Sequence, residues 1–96
     1  MASGTITKDH YKMMTKEQTG TVSLGANTNA AVSITPTAYA GYYCLGIIGI
    51  RNSHGASVVL TEFSSTLSRA VIRNITSTAY TVTLTFELLY ISNDLI

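Results

Sequence analysis

Charge is scarce in this sequence. Eleven of the 96 residues are Asp, Glu, Lys or Arg, or 11%, against about 25% in ordinary soluble domains. Six basic residues and five acidic ones leave a net charge of +1. That balance excludes an acidic or basic disordered tail, and it lacks the electrostatic footprint that nucleic acid or an anionic membrane surface requires. Tryptophan is absent, and the single cysteine, Cys44, cannot close an internal disulfide. Long apolar runs are missing as well: the stretch from Ala38 to Ile50 is 13 residues long and is interrupted by Gly41, Gly46 and Gly49. A membrane span needs about 18 or more. The start of the chain, Met1 to His10, lacks the basic end and apolar run of a secretory signal. These absences predict a soluble chain with no membrane insertion.

What the sequence has in quantity is hydroxyl and apolar side chains. There are 15 Thr and 10 Ser, and 46% of residues are hydrophobic. Hydroxyls and amides must therefore keep the surface wet. The length allows one domain. So large an apolar share with so few charges exceeds what a lone small domain hides comfortably, which predicts burial between subunits and hence a homo-oligomer.

Charge is also unevenly placed. Residues 1–18 hold Lys8, Asp9, Lys12, Lys16 and Glu17, five of the eleven charges. A boundary is expected near Thr19-Gly20, dividing an N-terminal arm or linker (1–18) from a β-domain (19–96). Two readings of the arm stand: one or two turns of helix over Lys8 to Glu17 with Met13 and Met14 inward, or an extended segment.

From Gly20 onward apolar and polar residues alternate, the mark of strands with one buried face. The clearest case places Tyr80, Val82, Leu84, Phe86, Leu88 and Tyr90 on one face, with Thr81, Thr83, Thr85 and Glu87 on the other. Leu89 and Ile91 break the polar side and predict cover on both faces at that end. Val22/Leu24 and Val32/Ile34, separated by the small polar residues Gly25 to Asn29, read as a hairpin. Pro36 follows the second strand, where it removes no ladder hydrogen bond, and Thr37 to Gly41 form a loop. Tyr42 to Arg51 is apolar on both faces, as in a central strand, with Gly46 and Gly49 suggesting a bulge or a close backbone approach. After the turn Asn52-Ser53-His54-Gly55 comes a strand over Ser57 to Phe63, with either Val59 and Phe63 or Val58 and Leu60 inward. Ser64 to Leu67 is a polar loop. The strand from Arg69 to Ile75 buries either Ala70 and Ile72 or Val71 and Ile75. Six short strands predict an all-β fold: a small antiparallel β-sandwich or barrel of jelly-roll or Greek-key type.

The inventory for chemistry is thin. General acid–base or nucleophilic catalysis needs convergent groups, whereas His10, His54, Asp9, Asp94, Glu62 and Glu87 are spread over different segments. The chain is read as not an enzyme, with no cofactor and no metal, because neither histidine has another ligand type at ligand spacing. Cys44, in the most apolar strand, reads as a small hydrophobe. Asn74-Ile75-Thr76 matches the glycosylation sequon and is read as coincidence in the absence of a secretory signal. Arg69 and Arg73 share a face and can meet Glu62 or Glu87 across the sheet. Tyrosines near a loop suit both sugar rings and protein interfaces. The candidate ligand-binding residues are Tyr39, Tyr42, Arg51 and His54, near the ends of one strand; the structural alternative puts Tyr43 in the core and Tyr42 in a subunit interface.

The order Gly20-Thr21-Val22-Ser23-Leu24, a small polar turn, Ala31-Val32-Ser33-Ile34, a Gly-Tyr-Tyr step into Leu45-Gly46-Ile47-Ile48-Gly49-Ile50, then Ala70-Val71-Ile72-Arg73-Asn74 and the strand Tyr80 to Tyr90 resembles the C-terminal β-domains of bacteriophage tail-fibre and baseplate receptor-binding proteins. The resemblance covers roughly residues 20 to 92. It implies a homotrimeric β-sandwich head in a phage virion, made in the host cytoplasm, that binds host cell-surface saccharide in clefts between protomers. The alternatives are a capsid-decorating or head-fibre protein whose partners are other virion proteins, and a monomeric carbohydrate-binding module.

Overall fold

A computed structural model describes residues 13–95. Six strands run β1 (Met13–Leu24), β2 (Asn29–Ser33), β3 (Tyr42–Asn52), β4 (Val58–Ser64), β5 (Arg69–Asn74) and β6 (Tyr80–Ser92), with single 3₁₀ turns at Gly55–Ser57 and Asn93–Leu95. They form two antiparallel three-stranded sheets, ordered β1-β6-β3 and β2-β5-β4. The expected all-β class is what the chain adopts.

β6 organises the core. Its strict alternation turns Val82, Leu84, Phe86, Leu88 and Tyr90 inward, each at most 1% exposed. The second sheet answers with Ala70 and Ile72 from β5, Val32 from β2 and Val58 from β4. The even-numbered face of β6 is thus buried as expected, and on β5 it is Ala70 and Ile72 that point in. β4 mixes the two expected alternatives because a bulge at Thr61 shifts its register between Leu60 and Glu62. Val58, Leu60 and Phe63 then lie opposite the inward Asn74, Ile72 and Ala70. The Thr61 hydroxyl donates to the Val71 carbonyl at 3.1 Å, replacing part of the ladder that the bulge interrupts.

Three expectations are corrected. β1 and β2 do not form a hairpin: β1 pairs with β6 along its whole length and β2 pairs with β5. The turn between them crosses from one sheet to the other, with Asn27 in the left-handed region (φ 53°). It is fastened to the β5–β6 turn, since the Asn27 N–H donates to the Thr76 carbonyl and the Asn74 N–H to the Thr28 carbonyl. Second, β3 is an edge strand, and the central strand of its sheet is β6. Third, the boundary expected at Thr19-Gly20 falls inside β1, so residues 13–18 are strand and Met13 is half exposed. The extended reading of the arm holds for those residues; the remainder, 1–12, lies outside the described residues.

Lys16 and Gln18 occupy inward register positions on β1, opposite Leu88 and Phe86. They face the loop of residues 34–41 instead of the second sheet. Gln18 donates from its amide to the Thr35 carbonyl (2.9 Å) and accepts from the Thr37 N–H (2.8 Å), so one side chain does the work of a neighbouring strand. The Lys16 ammonium sits 5.3 Å from the centre of the Tyr39 ring. That loop closes the end of the core that β2, only five residues long, does not reach.

Candidate functional site

The four residues singled out from sequence do not meet. Tyr39 is half-buried and meets the Tyr90 ring edge to face, with centroids 4.9 Å apart. Tyr42 is half-buried against the same core, its N–H donating to the Tyr39 carbonyl. At the far end of β3, Arg51 is exposed and pairs with Glu17 at 3.0 Å. His54 stacks on Tyr80 with centroids 4.4 Å apart, its Nδ1 2.9 Å from the Ser53 hydroxyl. An eleven-residue strand separates the two pairs by about 30 Å. Arg69 does meet Glu62, at 3.8 Å, whereas Arg73 donates to Asn29 at 2.7 Å.

Titratable groups are likewise dispersed. Glu17 and Glu87 face each other in register across β1 and β6, on the outer face of the sheet, and Arg51 neutralises the first. The Ser53–His54 contact has the look of a nucleophile and base, but the Ser53 oxygen already accepts the Thr83 N–H at 3.0 Å. Among the described residues no three His, Cys, Asp or Glu side chains come together as a metal would require. The sequon is structural: Asn74 is fully buried and its amide nitrogen donates to the Leu24 and Thr78 carbonyls.

Concavity and an exposed aromatic coincide elsewhere. The cleft lies between the first half of β3, from Tyr43 to Gly46, and the β4–β5 loop with Ser65, Thr66 and Ser68, with Pro36 at its margin. Its volume is about 440 Å³, within the usual range for small-ligand sites. Tyr43, 55% exposed, is among the residues that line it, which corrects the expectation of a core position. The cause is local: Tyr43 lies opposite Ile91, on the outer face, while Tyr42 and Cys44 oppose the inward Ser92 and Tyr90.

Two bulges in β3, between Cys44 and Gly46 and between Ile47 and Gly49, match the signal of the glycines. Gly46 takes φ +133°, and a Cβ there would lie 2.5 Å from the Ser65 hydroxyl. This close approach lets Ser65 accept the Ile47 N–H at 3.1 Å and ties the loop to the strand. Every side chain lining the cleft is uncharged, so its recognition chemistry is hydroxyl, backbone amide and one aromatic face. Nothing in the sequence pairs Tyr43 with residues 65–68; the packing of the second sheet against the first, with Ser65 tied to the Ile47 N–H, brings them together.

Tyr90 holds the wall that carries Pro36. Its buried hydroxyl donates to the Thr37 carbonyl at 2.6 Å. Burial, reinforced by Cys44 and Tyr39, pushes its ionisation above the ordinary tyrosine value. Folded protein therefore keeps this proton at pH values where the unfolded chain, at about 10, has lost it. The stabilisation is complete below that value and is lost as pH rises through the folded one. Urea midpoints should fall between pH 9 and pH 11 in the parent protein (roughly spanning the unfolded tyrosine value) and fall less in Tyr90→Phe. At neutral pH the same variant should lose about 1–2 kcal/mol, because the Thr37 carbonyl is left without its donor. A parallel decline in the two proteins would exclude Tyr90 as the origin.

No family model, curated protein or solved structure matches the chain. Among the described residues no helix is long and apolar enough to cross a membrane.

Proposed function

We propose that this chain is a non-enzymatic binding module, the homotrimeric receptor-binding head of a phage tail fibre or baseplate appendage, and that it takes a neutral saccharide of the host surface in the Tyr43 cleft. The observation that carries the reading is the exposed Tyr43 ring beside a charge-free, hydroxyl-lined cleft of about 440 Å³. A sugar ring offers an apolar C–H face and a rim of hydroxyls. Tyr43 suits the first, and Ser65, Thr66 and Ser68 suit the second. Shallow sites of this kind bind weakly one at a time, and three copies on one head multiply the affinity through valency. The phage assignment rests on the order of strands in the sequence, from Gly20 to Tyr90.

Tyr43→Ala tests the site with little risk to the fold, since the side chain is mostly in solvent. Binding to host cells or to an immobilised neutral glycan should weaken about tenfold, equivalent to about 1.4 kcal/mol, while the thermal midpoint stays close to that of the parent. Unchanged binding removes the cleft as the site. Capture by purified virions with none by cells or glycans selects the virion-building alternative instead.

A further inference from the structure

The two sheets close over the core on one side and leave it open on the other. At the closed side Gln18 and the loop of residues 34–41 cover the end of β2. At the open side the edge strands β3 and β4 flank a hollow of about 230 Å³ lined by Ile47, Ile48, Gly49, Ile50, Leu60 and Phe63. Leu60 and Phe63 hold inward register positions, opposite the fully buried Ile72 and Ala70. Even so they are 51% and 44% exposed, and Ile48 is 54% exposed. Leu60 and Phe63 are thus core-facing side chains without a cover, and Ile48, in the second β3 bulge, lies beside them.

We infer that this hollow is covered by the corresponding β3/β4 edge of a second copy of this chain. Charge points to that occupant. Within 42–50 and 58–68 the one charged residue is Glu62, which lies opposite Val71 on the outward face and is paired with Arg69. Arg51, at the end of β3, is paired with Glu17, so each charge along this edge already has its partner, and the hollow itself offers nothing to attract a charged partner and nothing to repel its own copy. Area points the same way. Ile48, Leu60 and Phe63 expose on the order of 300 Å², the size of the largest apolar patch on a monomer and about a third of what one partner buries in a standard interface. The polar edge around the hollow can supply the rest as rim. The chain's own residues 1–12 are a poor substitute, with Met1, Ile6 and Tyr11 as their only large apolar side chains.

The contact is one of side chains and not of added strands. Two bulges in β3 and one in β4 interrupt the ladder that a further strand would need. Copies related by a symmetry axis therefore bring Leu60 and Phe63 together across it. This inference rests on the self-association in the proposed function and is independent of saccharide binding at Tyr43.

The test is the mass of the full chain by light scattering on a sizing column, for the parent, Leu60→Glu, Leu60→Ser and a control, Ile75→Glu, which is also half exposed but lies beyond β5. The parent and the control should run at a multiple of 10.3 kDa. Leu60→Glu should run as a monomer with an unchanged far-ultraviolet spectrum, and Leu60→Ser should dissociate on dilution at concentrations that leave the parent assembled. A multiple of three supports both this seam and the trimeric head; a multiple of two keeps the seam and removes the trimer. A monomeric parent, or folded Leu60 variants as large as the parent, overturns the inference. Tyr43→Ala, weighed in the same way, should stay assembled, so that loss of glycan binding and loss of assembly are read separately.

Discussion

Asn74→Ala is expected to cost about 3 kcal/mol of stability, although it deletes only a short polar side chain. The residue is fully buried at the end of β5 and its amide is saturated. The nitrogen donates to the Leu24 carbonyl at 3.3 Å and the Thr78 carbonyl at 2.7 Å, and the oxygen accepts from the Thr76 N–H at 2.9 Å and the Thr76 hydroxyl at 2.7 Å. Its backbone N–H meanwhile donates to Thr28. One side chain thus joins the end of β1, the β1–β2 turn and the β5–β6 turn, two of the four places where the chain passes between sheets. Alanine would leave the Leu24 carbonyl buried without this donor and release the Thr76 amide. In a domain of this size 3 kcal/mol lowers the thermal midpoint by roughly 12–20 °C. Thr76→Ala removes the hydroxyl, which meets the Asn74 oxygen and the exposed Thr78 backbone, but leaves the Asn74 amide in place, and should cost about 1 kcal/mol. If the two variants melted together, the network reading would be wrong and the loss would belong to the turn.

What could be read from the sequence follows from how local each signal is. The buried face of β6 was legible because six apolar side chains fall on one face from Tyr80 to Tyr90, and a one-residue slip would carry all six to the other face, so burial specifies the register strongly. β3 looked central because it is apolar on both faces. The structure gives a different cause: one side packs inward while Tyr43, Leu45 and Ile48 emerge along an exposed edge with two bulges. Turn chemistry at Gly25 to Asn29 announced a reversal but not its destination, since the same residues serve a hairpin or a passage between sheets. Lys16 and Gln18 obscured the first half of β1 by placing polar groups on the inward face, where they hold a loop.

The candidate site was the least legible part. Tyr39 and Tyr42 stood out in sequence as tyrosines around the loop that leads into β3, whereas which of Tyr42 and Tyr43 faces outward is set by the pairing of β3 with β6, where Tyr43 opposes Ile91. The hydroxyls facing Tyr43 come from a loop more than 20 residues away in sequence and from the other sheet, a juxtaposition set by how the two sheets pack. Hydroxyl residues are also so frequent in this chain that no cluster of them stands out.

Phe86→Ala should be more damaging still, at about 4 kcal/mol and the upper part of the range for a buried aromatic. The ring lies at the middle of β6 with no measurable exposure. What decides the magnitude is whether its neighbours can close the space, and one backbone neighbour of the ring is a glycine. A Cβ placed on Gly20 would lie 2.6 Å from Val32 Cγ1, 3.7 Å from Ile34 Cγ2 and 3.8 Å from the Phe86 ring. Gly20 is therefore bare because Val32 reaches across the sheets to touch the β1 backbone, and it has no side chain to turn into a vacancy. The strands on either side of β6 are held by 12 register pairs on β1 and nine on β3, and the pairs at Gln18 and Ile50 flank Phe86 itself, which limits collapse from the flanks. The lost ring contacts and the retained cavity consequently add. Phe86→Leu, which keeps most of the volume, should lose about 1–1.5 kcal/mol. Urea unfolding of the two variants separates the terms: a large gap between alanine and leucine at an unchanged slope marks a cavity that stays open. Closely similar midpoints would show that Val32 and its neighbours can close over the space, and Gly20 would then no longer count as the rigid floor of the core.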